Sequence, residues 1–174
     1  MILALTGFMG CGKSSVGRLV ASRLGCAFID LDEAVEAAQG RSVARIFAED
    51  GEPAFRTAEL EALKDILSTS ASGTTVLALG GGTLTTPEAR KLVAERAKCI
   101  YLRATIDTLT QNLMLVGTES RPMLKGADGE ASLRRRIESL MAGRSSIYEQ
   151  AADVTIDIDG LSTEEIASEV TGAV

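Results

Sequence analysis

The stretch "GFMGCGKSS" (Gly7–Ser15) follows the apolar run "ILALT" (Ile2–Thr6) and leads into "VGRLVASRL" (Val16–Leu24). Its spacing, Gly7 to Gly12 with Lys13 and Ser14 next, fits the G-x-x-x-x-G-K-[ST] pattern of a phosphate-binding loop. Glycines at such positions let successive backbone N–H groups turn toward an anion, where a Cβ would obstruct the turn. The following helix offers its unpaired first-turn N–H groups to the same anion. In that pattern Gly10, Cys11, Gly12, Lys13, Ser14 and Ser15 surround the phosphates, Lys13 reaches the β- and γ-phosphates, and the Ser14 hydroxyl ligates magnesium. The bland alternative is an ordinary glycine-rich turn. It is disfavoured by the context, since "ILALT" reads as a buried strand and "SSVGRLVASRL" carries apolar residues at helical spacing.

Working outward, strand-like runs recur at Ile2–Thr6, Ala27–Leu31, Thr75–Leu79, Cys99–Leu102 and Val154–Ile158. Helical patterns lie between them at Ser14–Leu24, Ala54–Leu67, Pro87–Ala94, Ile106–Leu115, Ser132–Ala142 and Thr163–Val170. This alternation predicts a parallel sheet covered by helices on both faces, a three-layer α/β/α fold with ligands at the strands' carboxyl edge. The chain has 174 residues, 45% hydrophobic and 24% charged, which suits one globular domain. The segment Gly117–Gly129 is the least regular, and its length predicts a functional lid, with a plain surface loop as the alternative.

A net charge of −6 argues against a general nucleic-acid or membrane-surface binder. No run reaches the roughly 18 apolar residues of a membrane span, and the apolar start lacks the basic lead-in of a signal peptide. Three cysteines at unrelated spacings (Cys11, Cys26, Cys99) predict free thiols in a reducing cytoplasm. Cys11, beside Lys13 and the helix N-terminus, is expected to be the most reactive of them. With no histidine in the chain, acid–base chemistry must fall to other side chains.

Several further groups fall at the predicted carboxyl edge. In "FIDLD", Asp30 and Asp32 are two apart and would point the same way in an extended strand. One would serve the magnesium shell and the other would take a proton from an attacking hydroxyl, unless Asp32 merely caps the next helix. "LALGGGT" sets Gly80, Gly81 and Gly82 at the end of the third strand, where missing side chains let a ligand approach closely. Arg56 in "EPAFR", Arg121 and Lys125 in "SRPMLK", and Arg144 in "GRSSIY" would give an acidic chain a local positive field. Taken alone, Arg56 reads equally as a solvated surface group, and the run Arg134–Arg136 as a solvated helix face.

In order and approximate spacing, the phosphate loop, "DLD", "FR", "GGG", "RPML" and "RSSIY" together resemble the shikimate kinases, over nearly the whole chain. The resemblance implies a P-loop kinase fold with a five-stranded parallel sheet ordered 2-3-1-4-5. It implies transfer of the ATP γ-phosphoryl to the 3-hydroxyl of shikimate, with Mg²⁺ as cofactor, in aromatic amino-acid biosynthesis. By the same resemblance Asp32 binds ring hydroxyls and acts as base, and Asp30 supports the magnesium through its water shell. Arg56 and Arg144 would hold the shikimate carboxylate, and Gly81 would contact a ring hydroxyl. Lys13 and Arg121 would stabilise the transferring phosphoryl. The segment 32–61 would bind shikimate and 117–129 would form the lid of a cytoplasmic monomer.

One segment departs from the family. Many members carry an arginine that packs on adenine in the helix before the lid, where this chain has "TQNLML" (Thr110–Leu115). A stacking cation contributes roughly 0.5–2 kcal/mol, so strict preference for ATP is not expected from this segment. A kinase of another hydroxylated metabolite, such as gluconate, explains the phosphate loop equally well but gives "GGG" and Arg144 no special duty. A GTP switch with an N-K-x-D loop is excluded, because the only asparagine, Asn112, precedes Leu113.

Overall fold

In this computed structural model, which describes residues 1–69 and 73–174, the central strand is β1 (Ile2–Thr6). All five of its residues are buried. It pairs in parallel with β3 (Thr75–Ala78) on one side and β4 (Ala97–Arg103) on the other. A strand covered on both faces has no solvent side, so it reads as a continuous apolar run without alternation. The edges are β2 (Ala27–Asp30) beside β3, and β5 (Val154–Asp157) beside β4. The sheet is therefore five-stranded, parallel and ordered β2-β3-β1-β4-β5.

Seven α-helices lie among the described residues: α1 (Lys13–Leu24), α2 (Leu31–Gln39), α3 (Val43–Ser68), α4 (Pro87–Arg96), α5 (Ile106–Val116), α6 (Glu130–Ala151) and α7 (Thr163–Gly172). The β1–β2 crossover runs opposite to the three later ones, so right-handed connections put α1 on one face and α3, α4 and α6 on the other. α7 packs on α1, and α5 on α6.

Three differences from the sequence reading bear on the site. The second strand ends at Asp30, so Asp32 lies in the first turn of α2 and does not share an extended strand with Asp30. α3 begins at Val43, well before the expected Ala54, and bends at Gly51 (φ 84, ψ 173). Pro53 is tolerated there because it stands in the first turn after the bend, where its missing N–H has no helical partner to lose. The bend lets Ile46 and Phe55 close on Val35 of α2 as a small apolar cluster separate from the main core, with Phe47 and Phe55 rings 4.8 Å apart. Finally, α6 continues to Ala151, past the expected Ala142. Arg144 and Tyr148 thus stand one turn apart on a buried helix face, not in a loop. The segment 117–129 carries a short 3₁₀ turn, Pro122–Leu124, whose Leu124 is buried in the main core.

Candidate active site

The phosphate loop joins β1 to α1, with Gly12 as the helix cap in the left-handed region (φ 86, ψ 16). No side chain caps α1, which leaves its first-turn N–H groups available to an anion. Lys13 Nζ donates to Gly7 O at 2.8 Å and to Phe8 O at 3.0 Å, so the loop's own carbonyls hold the ammonium. Ser14 Oγ donates to Asp30 Oδ2 at 2.5 Å. The other Asp30 oxygen accepts from Asp32 N at 3.0 Å and Glu33 N at 3.5 Å, capping α2. The cap is therefore Asp30, and the Asp32 side chain is left for other work.

Asp32 is the most perturbed carboxyl near the loop. Burial pushes its pKa up to about 6 from 3.8, and the charges of Glu59 and Asp30 push the same way. Lys13 and Arg56 oppose the rise. The result is a carboxyl balanced between acids and cations near neutral pH, which suits a proton acceptor.

Glu59 was not anticipated. It is 2% exposed, with Oε2 accepting from Arg56 Nη1 at 2.6 Å and Oε1 accepting from Thr83 Oγ1 at 2.6 Å. Buried charge of this kind requires a partner and satisfied oxygens, and both are present. The signal was in the sequence: Phe55, Glu59, Leu63 and Leu67 recur every four residues, an acid within an otherwise apolar helical stripe. A second salt bridge, to Glu52 at 3.3 Å, steadies Arg56 from the other side.

The glycine run makes room for these groups. A Cβ on Gly80 would come within 2.6 Å of Glu59 Oε1 and 3.0 Å of Asp32 Oδ1. A Cβ on Gly82 would collide with the Arg56 guanidinium. Between them, Gly81 O accepts from Arg144 Nη1 at 3.3 Å and from the Tyr148 hydroxyl. Arg144 is 6% exposed and lies 5.8 Å from the Phe8 ring centroid.

Two cavities meet over these residues. One, about 290 Å³, is lined by Arg56, Glu59, Gly80–Gly82, Met123 and Arg144, among others. The second, about 390 Å³, is lined by Gly10, Gly12, Lys13, Ser15, Asn112, Leu115 and Val116, among others. Both include Ser14, Asp30, Asp32, Gly81 and Arg121. Arg121 Nε is buried and has no hydrogen-bond partner among the described residues. Of the residues singled out for the site, Gly10, Gly12–Ser15, Asp30, Asp32, Arg56, Gly80–Gly82, Arg121 and Arg144 line one of these cavities, whereas Gly7, Cys11 and Lys125 do not. The Cys11 side chain is 1% exposed and its N–H donates back to Phe8 O at 3.3 Å. Burial overturns the expectation that Cys11 is the most reactive thiol: Cys99 is buried as well, with a thiol pushed up to about 12, and only Cys26 is partly open.

In α5, where the resemblance would place an adenine-stacking residue near Gln111–Met114, Met114 is exposed, and the exposed Leu115 and Val116 just beyond it edge the second cavity. Asn112 Nδ2 donates to Gly10 O at 2.8 Å, which ties this helix to the phosphate loop.

A family model for shikimate kinase matches residues 9–174. The chain is 41% identical to a shikimate kinase of Geobacter metallireducens, over 97% of this chain and 88% of that one. It is 38% identical to a shikimate kinase of Chlorobium chlorochromatii, over 97% and 90%. Among solved structures, shikimate kinase from Acinetobacter baumannii in complex with shikimate superposes with a TM-score of 0.86 at 30% identity, covering 99% of this chain and 91% of that one. The enzyme from Bacteroides thetaiotaomicron gives 0.87 at 28% identity, covering 99% and 96%. With a phosphate loop, an arginine paired to a buried glutamate and a glycine run meeting at one sheet edge, and with these relatives, the chain belongs to the shikimate kinase family.

Proposed function

We propose that this chain transfers the γ-phosphoryl group of ATP to the 3-hydroxyl of shikimate, giving shikimate 3-phosphate and ADP on the route to chorismate. The observation that carries this reading is the junction at Asp32, where an arginine-lined cavity meets the phosphate-loop cavity. Shikimate is an anion with several hydroxyls, so it calls for arginines, a carboxylate and bare backbone side by side. Arg56 and Arg144 take its carboxylate, Gly81 approaches a ring hydroxyl, and Asp32 accepts the proton as the hydroxyl oxygen attacks phosphorus. The new O–P bond forms as the bond from the γ-phosphorus to its bridging oxygen breaks, and ADP leaves. Lys13 exchanges the loop carbonyls for the β- and γ-phosphates, and Arg121 closes from the lid, both stabilising charge on the transferring group.

Magnesium fits this donor set. No cluster of three or more acidic, cysteine or histidine ligands exists among the described residues, which accords with an ion held largely by nucleotide phosphates. The Ser14 hydroxyl donates to Asp30 and keeps a lone pair that would serve the metal, and Asp30 would support the ion through its water shell. Bound there, the ion would neutralise charge shared by the β- and γ-phosphates.

The whole chain serves as one kinase domain, with 32–61 as the shikimate-binding segment and 117–129 as the lid. In this reading the enzyme is a monomer; a cytoplasmic location accords with three free cysteines, and small-molecule rather than nucleic-acid partners accord with a net charge of −6. No helix among the described residues is long and apolar enough to cross a membrane. The exposed Leu115 and Val116 offer a purine ring an apolar surface in place of a stacking cation, which favours tolerance of other bases. Phosphorus-coupled proton NMR of the product tests the assignment: the ester should appear at carbon 3 of shikimate, and coupling at another ring position overturns it.

Arg144→Lys should raise the KM for shikimate by about tenfold or more while leaving the KM for ATP in place. Lysine keeps the charge but lacks the planar fork that a carboxylate accepts. Equal values for both substrates in the variant would remove Arg144 from the carboxylate site.

The lid should show its exchange behaviour in two parts. Leu124 is anchored in the core, and Arg136 Nε donates to Met123 O at 2.9 Å, so the far half is held. Amides of residues 117–121 should exchange faster than those of 122–125 in the free enzyme. Nucleotide with shikimate should slow them as Arg121 gains its phosphate partner. Unchanged exchange on adding both ligands would make the segment a plain loop.

A further inference from the structure

Arg144 is not free when the substrate arrives, because its Nη1 already donates to Gly81 O. That contact is long, 3.3 Å, and the same carbonyl accepts a second hydrogen bond from the Tyr148 hydroxyl. Tyr148 stands one turn beyond Arg144 on the same face of α6, is 1% exposed, and packs on Tyr101 with ring centroids 5.2 Å apart. Burial holds the phenol far above its ordinary pKa, so it remains a neutral donor. A backbone carbonyl accepts two hydrogen bonds, and leaving a buried one with none is costly.

We propose that Tyr148 is a positioning residue that keeps the Gly81 carbonyl satisfied and so releases Arg144 to the substrate carboxylate. With the phenol in place, the guanidinium moves from Gly81 O to the carboxylate and no buried acceptor is left bare. The same bond fixes the Gly81 peptide, whose exposed side faces both cavities. Without the hydroxyl, Arg144 is the carbonyl's remaining partner, and binding the substrate means abandoning it. The inference rests on the reading of Arg144 as a carboxylate ligand.

The test is a double-mutant cycle on the full-length enzyme, with steady-state kinetics in shikimate and in ATP. Tyr148→Phe keeps the ring and its packing on Tyr101 and removes one oxygen. It should raise the KM for shikimate about tenfold, the scale of one bared buried acceptor, with kcat within about twofold and KM for ATP unchanged. In an Arg144→Ala background the competition is gone, so Tyr148→Phe should add no further rise. Thermal unfolding reports on each variant's fold, and Tyr148→Trp, which does not fit the space, serves as the packing control with losses in stability and kcat together. An equal KM rise in both backgrounds, or no rise in either, overturns the role of Tyr148 while leaving Arg144 as a ligand. An Arg144→Ala variant with unchanged KM for shikimate overturns the carboxylate reading and this inference with it.

Discussion

Asp32→Asn should lower kcat by about 10²-fold or more, the range for loss of a positioned general base. It should also make the folded protein more stable at alkaline pH. The two effects share a cause, the burial and neighbouring acids that raise the Asp32 pKa to about 6. A carboxyl whose pKa is higher in the folded than in the unfolded state favours folding when protonated. Its contribution is complete below 3.8 and is lost as pH rises through about 6. At pH 8 the wild type therefore carries an ionised group that its surroundings disfavour, and the amide relieves it by about 1–3 kcal/mol. Urea unfolding of both proteins across pH should show the variant's advantage shrinking as pH falls from 8 toward 4. In the wild type, kcat/KM for shikimate should fall as pH drops below about 6, in step with protonation of the free enzyme's base. A variant that is less stable at pH 8 and turns over normally would show that Asp32 is a structural carboxylate.

Lys13→Ala should reduce kcat by at least about 10²-fold with the fold retained. The ammonium lies on Gly7 O and Phe8 O, and among the described residues no other lysine or arginine side chain is anchored on the loop itself. Charge that develops between the β- and γ-phosphates then loses its one preorganised cation from the loop. The side chain is partly exposed and makes no ion pair among the described residues, so its removal should leave the sheet and α1 intact. Circular dichroism checks the fold and single-turnover kinetics the chemical step. Near-normal turnover in a folded variant contradicts the role given to the loop.

The parts of this fold that could be read from the sequence are those where chemistry leaves few choices. The phosphate loop needs glycines, a lysine and a serine at fixed spacing, and the buried strands need unbroken apolar runs, so both stand out. Strand order is not written in local spacing, and came from the resemblance. Residues whose role depends on what packs around them were harder. Asp30 and Asp32 look alike in "FIDLD", and only the end of β2 at Asp30 separates the cap from the free carboxyl. Glu59 counts as one acid among many until its helical stripe is drawn, because its partner Thr83 lies 24 residues away. Arg144 reads as a loop residue because Gly143 precedes it, yet α6 runs straight through. Cys11 looked reactive because Lys13 and the helix N-terminus would favour its thiolate, whereas the residue is buried with the main core.

The central claim is that the junction at Asp32 brings shikimate and a nucleoside triphosphate together. The most direct test is the initial rate of ADP release at fixed ATP and Mg²⁺, with shikimate, quinate and gluconate measured side by side. Shikimate should be turned over with a kcat/KM at least about 10²-fold above either competitor, as expected if Arg56, Arg144 and Gly81 hold its carboxylate and ring together in the way proposed. Comparable turnover of gluconate, or no turnover of shikimate, would contradict the account.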